Sequence, residues 1–174
     1  MKMLNKTICL VFAAMMFTAC QESKEKLNEK IKLLENEISA EHNPQKRENL
    51  LLVYRDYIAN YPKDSMSVEY LFKAGTINVS LGKGDEALSD FTNLINRYPK
   101  SAYVPQAYYY IAYVYEDVIF DIVAAKAAYI EFIEKYPEHE LATDAKLAIR
   151  YLGKSPDEIV ASFEQEQTNS NTEE

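Results

Sequence analysis

The sequence predicts an all-α chain, built as a short right-handed α-solenoid of antiparallel helix pairs. Three observations predict it. Tyr-Pro recurs at Tyr61-Pro62, Tyr98-Pro99 and Tyr136-Pro137, at intervals of 37 and 38 residues, and a fixed period of this size marks a helical repeat array. Glycine is scarce, with only Gly75, Gly82, Gly84 and Gly153, and no window alternates in the manner of a strand. The segments between the Tyr-Pro pairs also align in their small and large residues. Arrays of this kind bind other proteins, so the pattern speaks for an interaction scaffold without naming the partner.

The first segment, residues 1–19, reads as a signal peptide. Lys2 and Lys6 give a positive start, Ile8 to Phe17 is apolar, and Thr18-Ala19-Cys20 closes it. Ten apolar residues fall short of the roughly 20 that span a bilayer. The junction resembles the lipobox of bacterial lipoproteins, although Phe17 stands where Leu is usual. That resemblance implies acyl chains on Cys20 and, since Gln21 is not Asp, delivery to the outer membrane. An ordinary signal peptide with a chance cysteine beside the cut is the alternative. Cys9 would leave with the signal, so the rest of the chain would hold no disulfide and no thiolate metal site.

Beyond the signal, the elements follow in order. Residues 20–44 hold a charged helix, Glu22 to Glu41, with Leu27, Ile31, Leu34 and Ile38 on one face. Steps of four, three and four make that face helical. It suits either a capping helix packed on Gln45 to Asn60 or a short coiled-coil seam for self-association. Asn43-Pro44 breaks it. Residues 45–164 hold the repeats: Gln45 to Asn60, with Leu51, Tyr54 and Ile58 on one side, then Ser67 to Leu81, Asp85 to Arg97, Val104 to Val118, Ile122 to Lys135 and Leu141 to Leu152. Tyr-Pro ends a helix because proline restricts the residue before it. Ser155-Pro156-Asp157-Glu158 opens a last helix, with a serine cap, proline in the first turn and acids behind it. Residues 165–174 are polar and acidic and are expected to be disordered.

Aligned repeats show how the pairs should pack. Gly75, Ala87, Phe91 and Pro99 recur as Ala112, Ala125, Tyr129 and Pro137, with one extra residue in the second inter-helix turn. Small residues let paired helices approach, and Phe91 and Tyr129 fill the space between units. The turn from Leu81 to Ala87 leaves Lys83 exposed. These positions resemble the tetratricopeptide repeat. The long period, and Ala-Tyr-Ile-Glu-Phe-Ile-Glu-Lys-Tyr-Pro-Glu-His-Glu at 128–140, are similar to the outer-membrane lipoprotein (BamD-like) and Tol-Pal-associated (YbgF-like) subfamilies. The resemblance covers about residues 45–165. Leu50 and Arg150 stand where small residues are expected, which suits capping units.

The resemblance implies a groove lined by the first helix of each pair. Carried over position by position, the lining is Glu69, Phe72 and Thr76, then Gln106, Tyr109, Tyr113 and Glu116, then Asp144 and Leu147. Aromatic rings there suit peptide or helix recognition, while Tyr109 and Tyr113 could equally cover neighbouring helices. The run Tyr108-Tyr109-Tyr110 turns far enough around a helix that at least one ring should be solvated.

Charge and motifs narrow the function further. The whole chain carries −8. Without Lys2 and Lys6 it has 17 basic against 27 acidic residues, a net −10. Nucleic acid is therefore not an expected partner, and membrane contact should come through the lipid anchor alone. Gly82-Lys83-Gly84 lacks the spacing of a phosphate loop. Glu138-His139-Glu140 cannot converge on one metal ion, so capping or solvation is expected of His139, and His42 lies beside the break. No catalytic grouping, metal site or cofactor is expected. The expected partner is an envelope protein or peptide, and a homo-oligomer remains possible. A self-assembling spacer and a small-ligand or glycan binder using the tyrosines are the alternatives.

Overall fold

The computed structural model describes residues 22–40 and 43–162. The signal peptide, Cys20 and the acidic tail lie outside them, as do Glu41 and His42. Among the described residues, the longer helices are α1 (Lys24–Ala40), α2 (Pro44–Asn60), α3 (Ser65–Ser80), α4 (Gly84–Arg97), α5 (Tyr103–Val114), α6 (Ile122–Lys135) and α7 (Ala142–Tyr151). A further helical segment covers residues 156–162. The fold is all-α and tetratricopeptide-like, with no strand among the described residues. Two compact units divide after Ser67.

The three Tyr-Pro joints share one construction. Tyr61, Tyr98 and Tyr136 each end a helix at φ −126° to −135° and ψ 51° to 58°. Each donates its amide to the carbonyl four residues back: Tyr57, Leu94 and Phe132. Three residues on, the amides of Asp64, Ser101 and His139 donate back to the tyrosine carbonyls at 2.9, 2.9 and 3.1 Å. The side chains of those same residues then accept the amides of Met66, Tyr103 and Leu141 at 2.9, 3.1 and 3.2 Å. Each joint thus satisfies backbone groups that a helix end leaves open. His139 thus closes the turn before α7, its Nδ1 accepting the amide of Leu141, the residue that precedes the helix.

In the first unit, α1 packs on α2. Leu27 and Ile31 are buried, as are Leu51, Tyr54 and Ile58 on α2. The Tyr54 hydroxyl donates to Glu35 at 2.6 Å. Burial of Leu27 and Ile31 inside the unit removes half of the apolar seam that a coiled coil would use. Asn43 caps α2 by accepting from Gln45 and Lys46, with Pro44 as the first helical residue. Lys24 pairs with Asp64. That bond, with the Met66 amide, holds the Asp64 carboxyl below its usual range and pushes Lys24 up.

In the second unit the small and large positions meet as expected. A Cβ on Gly75 would lie 2.6 Å from the Phe91 ring. Phe91, Ala87, Ala112 and Ala125 are fully buried, and Tyr129 is 1% exposed. Asn78 donates to Asp90 at 2.7 Å in a buried bond between α3 and α4. Lys83 is half-buried rather than exposed, because its amide closes back on the Asn78 carbonyl at the α4 start. The last helical segment opens on a reciprocal cap: Ser155 Oγ accepts the Glu158 amide, and Glu158 accepts the Ser155 amide.

The extra residue of the second repeat has a specific place. The sequence predicts one helix from Val104 to Val118, but α5 ends at Val114 and a π-turn follows over Tyr115–Ile119. A π-turn absorbs one residue by widening the hydrogen-bonded ring. Phe120 then takes φ 61°. Gly82 takes φ 69° at the corresponding point of the preceding repeat. Asp121 caps α6 by accepting from Val123 and Ala124.

Candidate functional site

The expected lining residues fall in the second unit, on α3, α5 and the π-turn, and α7. Phe72 meets Tyr110 edge-on at 5.4 Å, and Tyr110 in turn meets Tyr109 at 6.0 Å and Tyr113 at 6.1 Å. Tyr110 also stacks on Phe91 at 5.4 Å. It is the hub of this aromatic run, and the sequence reading passes over it in favour of its neighbours. Its signal was available: it lies three residues before Tyr113, on one helix face.

All three members of the tyrosine run are half-buried, and none is left without a ring partner. Tyr108 packs near Tyr136 at 5.7 Å with Lys135 over its face. Tyr109 lies edge-on to Tyr129 and Phe132 at 5.6 and 5.7 Å. Tyr110 turns towards Phe72 and Phe91. Helix α5 has neighbours on several sides, which is why no ring of the run is freely solvated. Tyr109 packs against the buried cluster of Ala112, Tyr129, Phe132 and Ala145, so it carries folding energy whatever it binds.

Carboxylates hold the hydroxyls. Tyr113 donates to Asp117 at 2.9 Å, and this bond followed by burial raises its pKa. Tyr129 donates to Glu116 at 2.6 Å. Burial, then that bond, push Tyr129 far above the ordinary tyrosine value. Tyr109 is raised by burial and then by the Asp144 and Glu116 charges, which places α7 beside α5 here. Leu147 lies one turn beyond Asp144 and is 42% exposed. Glu69 pairs with Lys73 on its own helix at 2.7 Å. Phe72, Tyr109, Tyr113 and Glu116 are therefore linked, while Glu69 is held by Lys73 and Leu147 stands exposed. No group of side chains that could hold a metal occurs among the described residues.

A consequence for alkaline stability follows. The Tyr129 pKa is raised above its unfolded value of 10.0. Its contribution is thus complete below about pH 10 and is lost as pH rises beyond it. Tyr129→Phe should lower stability at pH 8, because Glu116 loses its partner. Above pH 10 its stability should fall less steeply than the parent's, by about 1.4 kcal/mol per pH unit. Urea unfolding from pH 8 to 11.5 measures both, and parallel slopes would contradict the Tyr129–Glu116 bond.

The family model YfiO, an outer membrane lipoprotein, matches residues 63–152. The chain belongs to the YfiO outer membrane lipoprotein family. The match takes in α3 to α7 whole, including every expected lining residue. Residues 22–62, with α1 and α2, precede the matched range of the YfiO family. No curated protein matches the chain. No helix among the described residues is long and apolar enough to cross a membrane.

Proposed function

We propose that the protein is a lipoprotein anchored through Cys20 to the periplasmic side of the outer membrane, and that it works as a scaffold holding another envelope protein or peptide along α3, α5 and α7. Family membership supports the outer-membrane setting, and Thr18-Ala19-Cys20 supports the anchor. The observation that carries the scaffold role is the aromatic run from Phe72 through Tyr110 to Tyr113 and Tyr109. It is packed before any partner arrives, so little ordering cost is left to binding. The Tyr113 and Tyr129 hydroxyls are taken by Asp117 and Glu116, which favours ring and edge contacts over sugar hydroxyls. Leu147 adds exposed apolar surface on α7.

Tyr113 separates binding from folding better than Tyr109 does. Tyr113→Ala should weaken partner capture by about tenfold or more, since a central anchor is worth about 2 kcal/mol. Its thermal melting should stay close to the parent's. Tyr109→Ala should instead lower melting, because its ring rests on the buried cluster. Capture by a photo-cross-linking residue at position 147 in cells, with circular-dichroism melting, tests this. Undiminished capture by the Tyr113→Ala variant would remove the binding role.

A further inference from the structure

The turn from α5 to α6 carries a second surface. Ile119 is 37% exposed, Phe120 74%, Ile122 40% and Val123 82%. Single apolar side chains on a surface need no explanation, but four within five consecutive positions do. The backbone adds an independent observation. Phe120 sits in the left-handed region at φ 61°, where the preceding repeat places Gly82. A bulky residue is an outlier there and is kept only under constraint. Burial of the ring does not repay that strain, since the ring faces solvent.

We propose that this turn is a docking knuckle for a protein partner whose matching surface is an apolar pocket bordered by lysine or arginine. Charge selects that occupant. Residues 101–125 contain Glu116, Asp117 and Asp121 and no lysine or arginine, and with Asp85 and Glu86 these carboxylates outnumber the flanking Lys83 and Lys126. Gly84 lies against Ile119, so the acidic first turn of α4, with Asp85 and Glu86, borders the knuckle. Lys154, beyond Gly153 on the Ile122 side, is turned over the Tyr151 ring at 5.5 Å. An anionic lipid surface would repel these carboxylates. A second copy would bring two acidic turns together in a chain of net charge −8. Residues 163–174, which follow the described structure, carry only one apolar side chain, Phe163, too few to cover four. The proposal does not depend on the scaffold reading, although Asp117 borders the knuckle and also holds the Tyr113 hydroxyl.

The test uses the full chain in its own cells, with benzoylphenylalanine at position 120 and at the exposed control position Thr92. The expected result is an adduct with a different protein at 120 and none at 92. The cross-linked segment of that protein should lie beside lysine or arginine. Asp117→Asn, which keeps an acceptor for the Tyr113 hydroxyl, should reduce the adduct severalfold. Phe120→Gly, probed from position 123, should cut it at least tenfold, while the melting temperature holds or rises as the left-handed strain is relieved. A probe at 147 reports the other face, so failure of one surface is distinguishable from failure of the other. Adducts only with lipid, only with a second copy, or none at 120 would overturn the proposal. So would an adduct indifferent to both substitutions.

Discussion

Phe91→Ala lowers the stability of the second unit by about 3–5 kcal/mol. The ring is fully buried, stacked on Tyr110 and tilted against Phe72. Against the ring also stands Gly75, whose missing Cβ makes the room. Removing the ring leaves a cavity that a glycine cannot fill. The pair should also show a reversal of sign. Gly75→Ala alone drives a methyl to within 2.6 Å of a ring that cannot retreat, an overpacking cost of about 1–3 kcal/mol that outweighs the gain in helix propensity. With Phe91 already truncated, the same change meets no ring and should add about 1 kcal/mol. Urea unfolding of the four proteins gives the coupling. If Gly75→Ala costs the same in both backgrounds, the packing between α3 and α4 is not as described.

If Cys20 carries the proposed anchor, Cys20→Ser should move the protein from the membrane fraction to the soluble periplasm, or leave the signal uncleaved. Each buried methylene contributes about 0.8 kcal/mol, so two or more acyl chains dominate attachment. The rest of the chain offers little to replace them, since its excess of acidic residues opposes anionic lipid. Fractionation with mass measurement of the mature chain decides it. A variant that stays membrane-bound at unchanged mature mass would remove Cys20 as the anchor.

Much of the fold is legible in the sequence because its signals are local. Pro62, Pro99 and Pro137 restrict the residues before them and mark helix ends. Asn43 and Ser155 are caps readable from their spacing to the helices they open. Gly75 and Phe91 are readable as partners only by aligning the repeats, which supplies the third dimension that a single helix lacks. The π-turn was not legible. The extra residue was visible, but whether it lengthens a loop or widens a helix turn is decided by what surrounds it, here Gly84 against Ile119. The candidate face was legible at Phe72 and Tyr113 and less so at Tyr109, where half the ring serves the core. Tyr110 was missed because a run of three tyrosines does not reveal which one meets two neighbouring helices. Lys83 was misjudged because turn composition suggests exposure, while the turn itself folds back on Asn78.

The Tyr-Pro joints carry a consequence for how such a gene can change. Each joint closes its own hydrogen bonds within a few residues, from the tyrosine amide to the accepting side chain. Aspartate, serine and histidine all accept the amide two residues on, so the joint requires an acceptor rather than one residue type. A segment cut from one joint to the next therefore carries matching ends. In-frame duplication or loss of such a segment leaves no backbone group stranded at the splice. Array length is then free to change in whole steps, by recombination between similar stretches of coding sequence, with the helix-pair contacts left to decide which lengths survive.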